Sequence, residues 1–380
     1  MNNLLRLAVI VCYWLSFALY AQLAPPIPSP PILGAKSFLL QDFNSGQILA
    51  EENADSSVEP ASLTKLMTAY VVFKELKANT ISLTDQVTVS EKAWRTTGSR
   101  MFIEVDSKVL VGDLLKGMIV QSGNDATVAL AEHVAGSESS FVALMNQYAT
   151  ELGLTGTHFE NSSGLPAKEH YVTARDIARI TRTLIQEFPE YYKWYSLKEF
   201  SYNGITQYNR NKLLWRDESV DGVKTGHTDS AGYCLVTSAQ REDMRLISVV
   251  LGSNSKKARA DASQSLLNYG FRFFKSYELH AAGTTLAETR VWKGASESLP
   301  IGLEHPLYVT VPRRSSNKLD ANMLIDKRIV APVDKGQQIG WAQVTLDNVP
   351  LTQQRLVALK DIPEGSFWQR VIDEVLLYFE

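Results

Sequence analysis

The chain has 380 residues, with 38 basic and 41 acidic side chains and a formal net charge of −3. Because charges of both signs are well mixed, the sequence lacks the basic footprint of a nucleic-acid-binding protein, and that partner class is excluded. The length is sufficient for two domains with ample hydrophobic cores.

The first 21 residues have the pattern of a signal peptide. Arg6 precedes an uncharged apolar run, residues 7–21. This run is shorter than the roughly 20 residues that a membrane-spanning helix needs, so we expect cleavage near Ala21 and export rather than a retained anchor. Residues 22–36 include a proline-rich segment at 25–31 and are predicted to be a stiff spacer.

Cysteine usage indicates a protein that is held together by its core. Cys12 lies in the predicted signal peptide, so Cys234 would be the one cysteine of the mature chain, without an internal disulfide. The apolar neighbours of Cys234 predict packing within a strand. No His, Asp or Glu stands near it at ligand spacing, and we expect neither a metal ion nor an organic cofactor.

Residues 37–280 predict an α/β domain. Two strand patterns at 37–43 and 47–50 flank Asn44-Ser45-Gly46, which is typical of a hairpin. Helical patterns follow at 111–135, with a break at 122–124, and at 139–152 and 173–187. Strand patterns at 231–239 and 244–251 precede a last helix at 255–274. This order implies an α/β sandwich whose sheet takes strands from both ends of the domain.

The rest of the chain has a different character. Residues 281–362 predict a small all-β domain, with short strand patterns at 289–292, 307–311, 328–331 and 355–359. Residues 363–380 are separate, because 367–380 form an amphipathic helix with an aromatic-rich apolar face and an acidic polar face. Such a helix could lie in a membrane surface or pack onto its own domain, and the acidic face weakens attraction to anionic lipids.

Ser62 and Lys65 are the candidate nucleophile and base. Pro60 and the apolar residues after Lys65 predict that both lie in the first turn of a helix, where residues three apart share a face. A lysine whose pKa is lowered by burial could then take the serine's proton. The spacing alone is weak, because Ser253 with Lys256 and Ser315 with Lys318 match it in polar, turn-like surroundings.

Two further motifs strengthen the hypothesis. Ser122-Gly123-Asn124 interrupts a helical pattern, and Lys224-Thr225-Gly226 lies at a predicted edge strand, with His227 next to it. Each motif alone is most often a loop or an exposed strand end. In this order, the set resembles the low-molecular-mass penicillin-binding proteins, the D-alanyl-D-alanine carboxypeptidases of the bacterial periplasm. The segments around each motif, and 209–211 with 214–215, resemble that family too.

The resemblance implies a fold and a location. The fold is an antiparallel sheet flanked by helices, a small β-rich domain, and a C-terminal amphipathic helix that attaches the enzyme peripherally to the inner membrane. The partners implied are the peptidoglycan pentapeptide as substrate, β-lactam antibiotics as inhibitors and the membrane surface.

The resemblance also implies residue roles. Ser62 attacks the carbonyl between two D-alanines, Lys65 accepts its proton, and Ser122 relays a proton to the departing D-alanine. The substrate-binding residues implied are Asn124, Lys224, Thr225, Gly226, His227 and Arg259. Backbone N–H groups of Ser62 and His227 would form the oxyanion hole, while Lys224 and Thr225, helped by Arg259, would bind the terminal carboxylate. Asn124 could instead tie two helices together, and Arg259 could be a solvated helix residue.

Three alternatives stay open. A D,D-endopeptidase that cuts cross-bridges would use the same residues. A β-lactamase needs a deacylating glutamate, and Glu151, Glu160 and Glu169 lie in the right interval without the expected sequence pattern. A protein with a spent site would act as a cell-wall scaffold.

Overall fold

The computed structural model describes residues 27–379. The predicted signal peptide and residues 22–26 of the predicted spacer lie outside this range. The described chain divides into two compact units, each with its own core. The first unit comprises residues 30–281 and 306–310; the second comprises residues 27–29, 282–305 and 311–379.

The first unit is built on a five-stranded antiparallel sheet. Its strands, in chain order, are β1 (Ser37–Asp42), β2 (Ile48–Glu52), β7 (Val220–Thr228), β8 (Gly232–Arg241) and β9 (Met244–Ser253). The order across the sheet is β2-β1-β9-β8-β7, so strands from the two ends of the unit pair at its centre. This confirms the predicted sandwich and leaves β7 at an edge.

Helices cover both faces of this sheet. They are α1 (Lys65–Lys77), α2 (Glu91–Arg95), α3 (Val111–Val120), α4 (Asn124–Ala135), α5 (Glu138–Glu151), α6 (Ala174–Glu187), α7 (Pro189–Tyr192), α8 (Leu213–Arg216) and α9 (Lys256–Phe273). Alternation along β1 separates the two cores, because Leu39 packs with α1 and its neighbours while Phe38 and Leu40 pack with α9.

Side-chain caps explain where several of these helices begin. Ser137, Thr173 and Ser255 each accept a hydrogen bond from a backbone N–H of the first turn of α5, α6 and α9. Gly136 ends α4 in the left-handed conformation, with φ of +75°. The predicted helices therefore occur within one or two residues of their expected bounds.

Two small antiparallel sheets complete the first unit. In one, β3 (Gln86–Thr88) pairs with β4 (Lys108–Leu110) across residues 89–107; in the other, β5 (Glu199–Tyr202) and β6 (Ile205–Tyr208) form a hairpin. Both turn residues between β5 and β6, Asn203 and Gly204, have positive φ, as a two-residue hairpin turn requires. Cys234 is a buried free thiol in β8, which confirms its packing role.

The second unit is β-rich, as predicted. Its five-stranded sheet has the order β11-β12-β16-β15-β14, formed by Ala287–Arg290, Ser298–Leu303, Val349–Ala358, Gln338–Leu346 and Leu319–Ile325 respectively. A further two-stranded sheet, β10 (Phe274–His280) with β13 (Leu307–Pro312), lies almost entirely in the first unit.

Two sequence predictions for the second unit need correction. The strand expected at 328–331 is wrong, because only Val330 makes an isolated bridge there, and Pro332 just beyond it has no N–H to extend a ladder. The C-terminal helix, α10 (Phe367–Leu377), ends earlier than expected. Within residues 27–379, no helix has both the length and the apolar character needed to cross a bilayer.

Candidate active site

Ser62 lies in a tight turn at the entrance of α1. Residues Ala61–Thr64 form a single 3-10 turn, and the α-helix itself begins at Lys65. The sequence had predicted both residues in one α-helical turn, and the tighter turn still places them side by side. Ser62 is half-buried, whereas only 1% of Lys65 is exposed.

The Lys65 amine has three oxygen neighbours. Its Nζ lies 2.6 Å from the backbone oxygen of Ser163, 2.7 Å from Oδ1 of Asn124 and 3.2 Å from Oγ of Ser62. Both of the shorter contacts are to carbonyl-type oxygens, which can only accept hydrogen bonds. A neutral amine that donates its two N–H groups to them therefore directs its lone pair at Ser62.

The surroundings of Lys65 favour that neutral form. Burial lowers the pKa of the Lys65 amine to about 7, and the positive charge of Arg210 adds to this effect, while the carboxylate of Asp125 opposes it. An amine with such a pKa is half-deprotonated at neutral pH. The pair can act as a nucleophile with its own general base.

The break between α3 and α4 brings Ser122 and Asn124 to this site. Ser122 has a left-handed backbone, with φ of +69°, and its hydroxyl is buried without a hydrogen-bond partner among the described residues. Asn124 is more fully engaged, because its amide nitrogen also donates to the backbone oxygen of Thr97 at 2.7 Å. Its contacts are those expected of a residue that ties segments together.

Asp125 holds the segment 97–103 in place beside these residues. Its carboxylate, fully buried, accepts hydrogen bonds from the backbone N–H groups of Met101, Phe102 and Ile103 at 2.8 to 3.3 Å. The backbone N–H of Asn124 donates to Ser99 at 2.7 Å. Segment 97–103 is thereby held against the start of α4, a contact that the sequence analysis missed.

Strand β7 contributes the third motif. Lys224 and Thr225 are buried, and burial, followed by the charges of Lys65, Arg210 and Arg259, holds the pKa of Lys224 well below its ordinary value. Gly226 packs directly on the turn that carries Ser62, since a Cβ there would lie 3.0 Å from the backbone oxygen of Pro60. The absence of a side chain lets strand and turn meet.

Arg259 reaches the same strand from α9. Its Nη1 donates to the backbone oxygens of Gly226 at 2.9 Å and Cys234 at 3.2 Å. The buried guanidinium therefore braces β7 against β8 and adds positive charge. The exposed ring of His227 stacks on Tyr233, with centroids 4.0 Å apart.

These elements enclose a cleft of about 640 Å³. Ser62, Ser122, Thr225, Gly226, His227 and Arg259 line it, together with residues that the sequence analysis did not assign, such as Gly98, Ser99, Tyr208, Arg210 and Lys212. Lys65, Asn124 and Lys224 lie buried behind the lining. The structure thus brings the three motifs together at one site.

Arg210 is the most informative of the unassigned residues. It is exposed in the cleft between Asn209 and Asn211, two buried asparagines. Asn211 donates to the backbone oxygen of Gly222 in β7 at 2.9 Å. The segment 209–211 resembled the family in sequence, but its alternation of two amides around one cation did not by itself assign Arg210 to the cleft.

Residues 27–379 contain no cluster of three or more His, Cys, Asp or Glu side chains that could hold a metal ion. The groups available in the cleft are hydroxyls, side-chain and backbone amides, amines, guanidiniums and the imidazole of His227. Such a set is suited to acyl transfer through a serine.

Comparison with known proteins gives the family. A family profile described as D-alanyl-D-alanine carboxypeptidase matches residues 25–255, and one described as the C-terminal domain of penicillin-binding protein 5 matches residues 274–364. The D-alanyl-D-alanine carboxypeptidase DacA of Escherichia coli (strain K12) is 44% identical over 361 residues, which cover 93% of this chain and 90% of DacA. DacC of the same organism is 44% identical over 387 residues, covering 100% and 97%.

Solved structures agree with this result. The crystal structure of penicillin binding protein 5 from Haemophilus influenzae has a TM-score of 0.84 and 43% identity, covering 89% of this chain and 100% of that one. Penicillin-binding protein D2 from Listeria monocytogenes in its ampicillin-bound form has a TM-score of 0.60 and 30% identity, covering 64% and 100%.

The fold and the cleft define a hydrolase of the penicillin-binding-protein class. The chain belongs to the D-alanyl-D-alanine carboxypeptidase family, whose enzymes act on peptidoglycan peptides. The main functional prediction and the predicted fold class are thereby confirmed.

Proposed function

We propose that this carboxypeptidase removes the terminal D-alanine of the peptidoglycan pentapeptide through an acyl-enzyme on Ser62. The observation that carries the proposal is the Lys65 amine, buried and 3.2 Å from Oγ of Ser62, with both of its N–H groups committed elsewhere. Lys65 takes the hydroxyl proton as Ser62 attacks the carbonyl between the two D-alanines. The C–N bond breaks as the amine leaves with a proton, and water then hydrolyses the ester.

Ser122 and the strand complete the mechanism. The buried hydroxyl of Ser122, which has no protein partner among the described residues, is available to pass a proton to the leaving amine. Backbone N–H groups of Ser62 and His227 bind the oxyanion, where removal of one such donor typically costs about 3 kcal/mol of barrier. The close contact of Gly226 with the Ser62 turn supports this pairing of strand and turn.

The cationic cleft selects a substrate with a free C-terminal carboxylate. Thr225 binds it from the cleft lining, and Lys224 assists from the buried layer behind, where its amine lies 3.3 Å from the backbone oxygen of Thr225. Arg259 contributes charge while it braces the strand carrying them. Asn124 orients Lys65, because both ends of its amide are engaged, Oδ1 with the Lys65 amine and Nδ2 with the backbone oxygen of Thr97. β-Lactams, whose carboxylate and acyl carbon match this pattern, would acylate the same serine.

Mass spectrometry after exposure to a penicillin tests the mechanism, with Ser62→Ala as the control. We expect a persistent adduct that maps to Ser62 and is absent from the control. An intact protein together with intact antibiotic would reject the acyl-enzyme and favour the scaffold alternative. Rapid appearance of hydrolysed antibiotic without a lasting adduct would favour a β-lactamase.

The structure gives reasons to rank these alternatives. Glu151, Glu160 and Glu169 are all exposed, and none of them lines the cleft, so none is placed to activate a deacylating water as a β-lactamase requires. The endopeptidase alternative uses the same site. Release of D-alanine from a pentapeptide, measured beside cleavage of a cross-linked dimer, distinguishes the two activities.

We propose a periplasmic location for the enzyme, peripherally attached to the inner membrane. The signal pattern of residues 1–21 supports export, and α10 supports attachment. The apolar side of α10 is exposed, most strongly at Phe367, Trp368, Ile372 and Val375.

The acidic side of α10 is bound by its own unit. Asp373 accepts from the backbone N–H of Lys293 and pairs with Arg290 at 3.4 Å, and Glu374 pairs with the Lys293 amine. These ion pairs offset the negative charge of the acidic face, which in the sequence argued against binding to anionic lipids. They also leave the apolar face of α10 exposed.

Vesicle sedimentation tests the attachment. We expect the mature chain to sediment with phosphatidylcholine vesicles, and a chain ended after Gly365 to stay in solution while still reacting with penicillin. An Ile372→Glu variant should lose binding, whereas Gln369→Glu on the polar side should keep it. Equal sedimentation of the full and shortened chains would refute the proposal.

A further inference from the structure

The backbone oxygen that holds Lys65 belongs to a turn of unusual construction. Ser163 supplies this oxygen, and the side chain of Asn161 organises the turn around it. Oδ1 of Asn161 accepts from the backbone N–H groups of Ser163, Gly164 and Leu165 at 2.7 to 3.2 Å. Its Nδ2 donates to the backbone oxygen of Leu165 at 2.8 Å. One amide side chain thus fixes the direction of the Ser163 carbonyl.

His170 joins this turn to the turn that carries Ser62. Nδ1 of His170 lies 3.2 Å from Nδ2 of Asn161, and its Nε2 lies 2.9 Å from Oγ1 of Thr64. The Asn161 amide nitrogen can only donate, so Nδ1 must accept and the proton must sit on Nε2, which then donates to Thr64. The ring is 3% exposed and packs edge-on against Phe159.

We propose that Asn161 and His170 are positioning residues for the carboxypeptidase reaction: they hold the Ser163 carbonyl oxygen against the Lys65 amine and so direct the amine's lone pair at Ser62. Neither side chain touches the reacting atoms. The inference rests on the proposed role of Lys65 as the base.

Two other contacts bring the same segments together. Oγ1 of Thr68, one turn along α1, donates to the backbone oxygen of Ser162 at 2.6 Å. Gly164 has φ of +87°, and a Cβ there would lie 1.8 Å from the backbone oxygen of Ala61. These contacts keep the segments adjacent, while Asn161 and His170 set the orientation of the carbonyl. Loss of His170 should therefore affect the chemical step more than the fold.

Acylation by a fluorescent penicillin measures the effect, because it separates the affinity of the non-covalent complex from the rate of the covalent step. His170→Phe keeps an aromatic ring, slightly larger than imidazole, and removes both hydrogen bonds. We expect the covalent rate to fall tenfold or more, with the dissociation constant of the complex within twofold of wild type. His170→Gln, whose amide N–H can reach Thr64, should recover most of that loss.

The matched control is His158→Phe, the same substitution at a half-buried histidine whose Nδ1 meets the backbone oxygen of Glu169 at 2.7 Å. It should leave both constants near wild type. If His170→Phe does not fold, His170→Asn replaces it, because Asn keeps an acceptor for Asn161 and loses the link to Thr64; the same fall is expected.

Wild-type constants in folded His170→Phe would overturn the inference, as would a loss confined to the dissociation constant. Failure of the proposed function is distinguishable, because the wild-type protein itself would then form no adduct at Ser62.

Discussion

The pH dependence of acylation is the sharpest test of how Lys65 works. If the neutral amine is the base, the acylation rate follows the deprotonated fraction of a group with a pKa of about 7. The rate at pH 5 should then be roughly one hundredth of its plateau above pH 9, and about half of the plateau at pH 7, because each pH unit below the pKa lowers the neutral fraction about tenfold.

Arg210 offers a perturbation of known sign. Its charge depresses the pKa of Lys65, second only to burial. Arg210→Gln removes the charge, so the pKa should rise and the profile should move to higher pH by roughly half a unit to one unit, as expected for a nearby like charge. At pH 7 the variant would acylate about two- to fivefold more slowly while its high-pH plateau changes less.

The assay is the rate of labelling by a fluorescent penicillin from pH 5 to pH 9. Arg216→Gln is the matched control, because Arg216 is nearby in sequence but pairs with Asp261 and does not line the cleft. A rate that stays flat across this range, or an apparent pKa near that of free lysine, would refute the role of Lys65 as a neutral base. A pH profile of the acylation rate that does not shift in Arg210→Gln would refute the effect of the Arg210 charge on the pKa of Lys65.

Two further outcomes concern stability. Gly164→Ala should lower the free energy of unfolding by about 3 kcal/mol or more, measured with denaturant, because its methyl group would overlap a backbone oxygen. Gly136→Ala is the control, since Gly136 has a similar positive φ but open space around it, and it should cost only about 1 kcal/mol. Equal losses in the two variants would contradict the overlap. Burial lowers the pKa of His170 to about 4, assisted by His158 and opposed by Glu59. A histidine held neutral in the fold contributes stability that is complete above its unfolded pKa near 6.5 and is lost as pH falls towards 4, up to about 3 kcal/mol. In His170→Gln, the free energy of unfolding should lack this part of its pH dependence.

The helices and most strands could be predicted from the sequence because the signals for them are local. Hydrophobic periodicity and capping residues such as Thr173 and Ser255 are written within a few positions of each helix. The hairpin at Asn203-Gly204 was equally local and was overlooked. The strand expected at 328–331 failed because β-type residues alone do not supply a pairing partner.

The same difference between local and long-range signals decides which active-site residues the sequence could predict. Ser62 and Lys65 could be placed together from their spacing, and a break at Ser122 was visible in the helical pattern. The Ser163 oxygen could not be found, because every residue has a backbone carbonyl and only the folded turn aims this one. The segment held by Asp125 depends on hydrogen bonds from backbone N–H groups more than twenty residues away to its carboxylate, and one sequence does not reveal such contacts.

The partners of the Lys65 amine also decide which proton moves next. Once Ser62 has given up its proton, the lysine is an ammonium with three N–H groups, and two of them already donate to Ser163 and Asn124. The third carries the serine's former proton and faces Oγ of Ser62, which in the tetrahedral intermediate is bonded to the substrate carbon and is a poor acceptor. Under the proposed mechanism, the proton that entered from the nucleophile is therefore the one free to pass to Ser122, whose own proton leaves with the departing D-alanine, and the unequal acceptors give the transfer a direction.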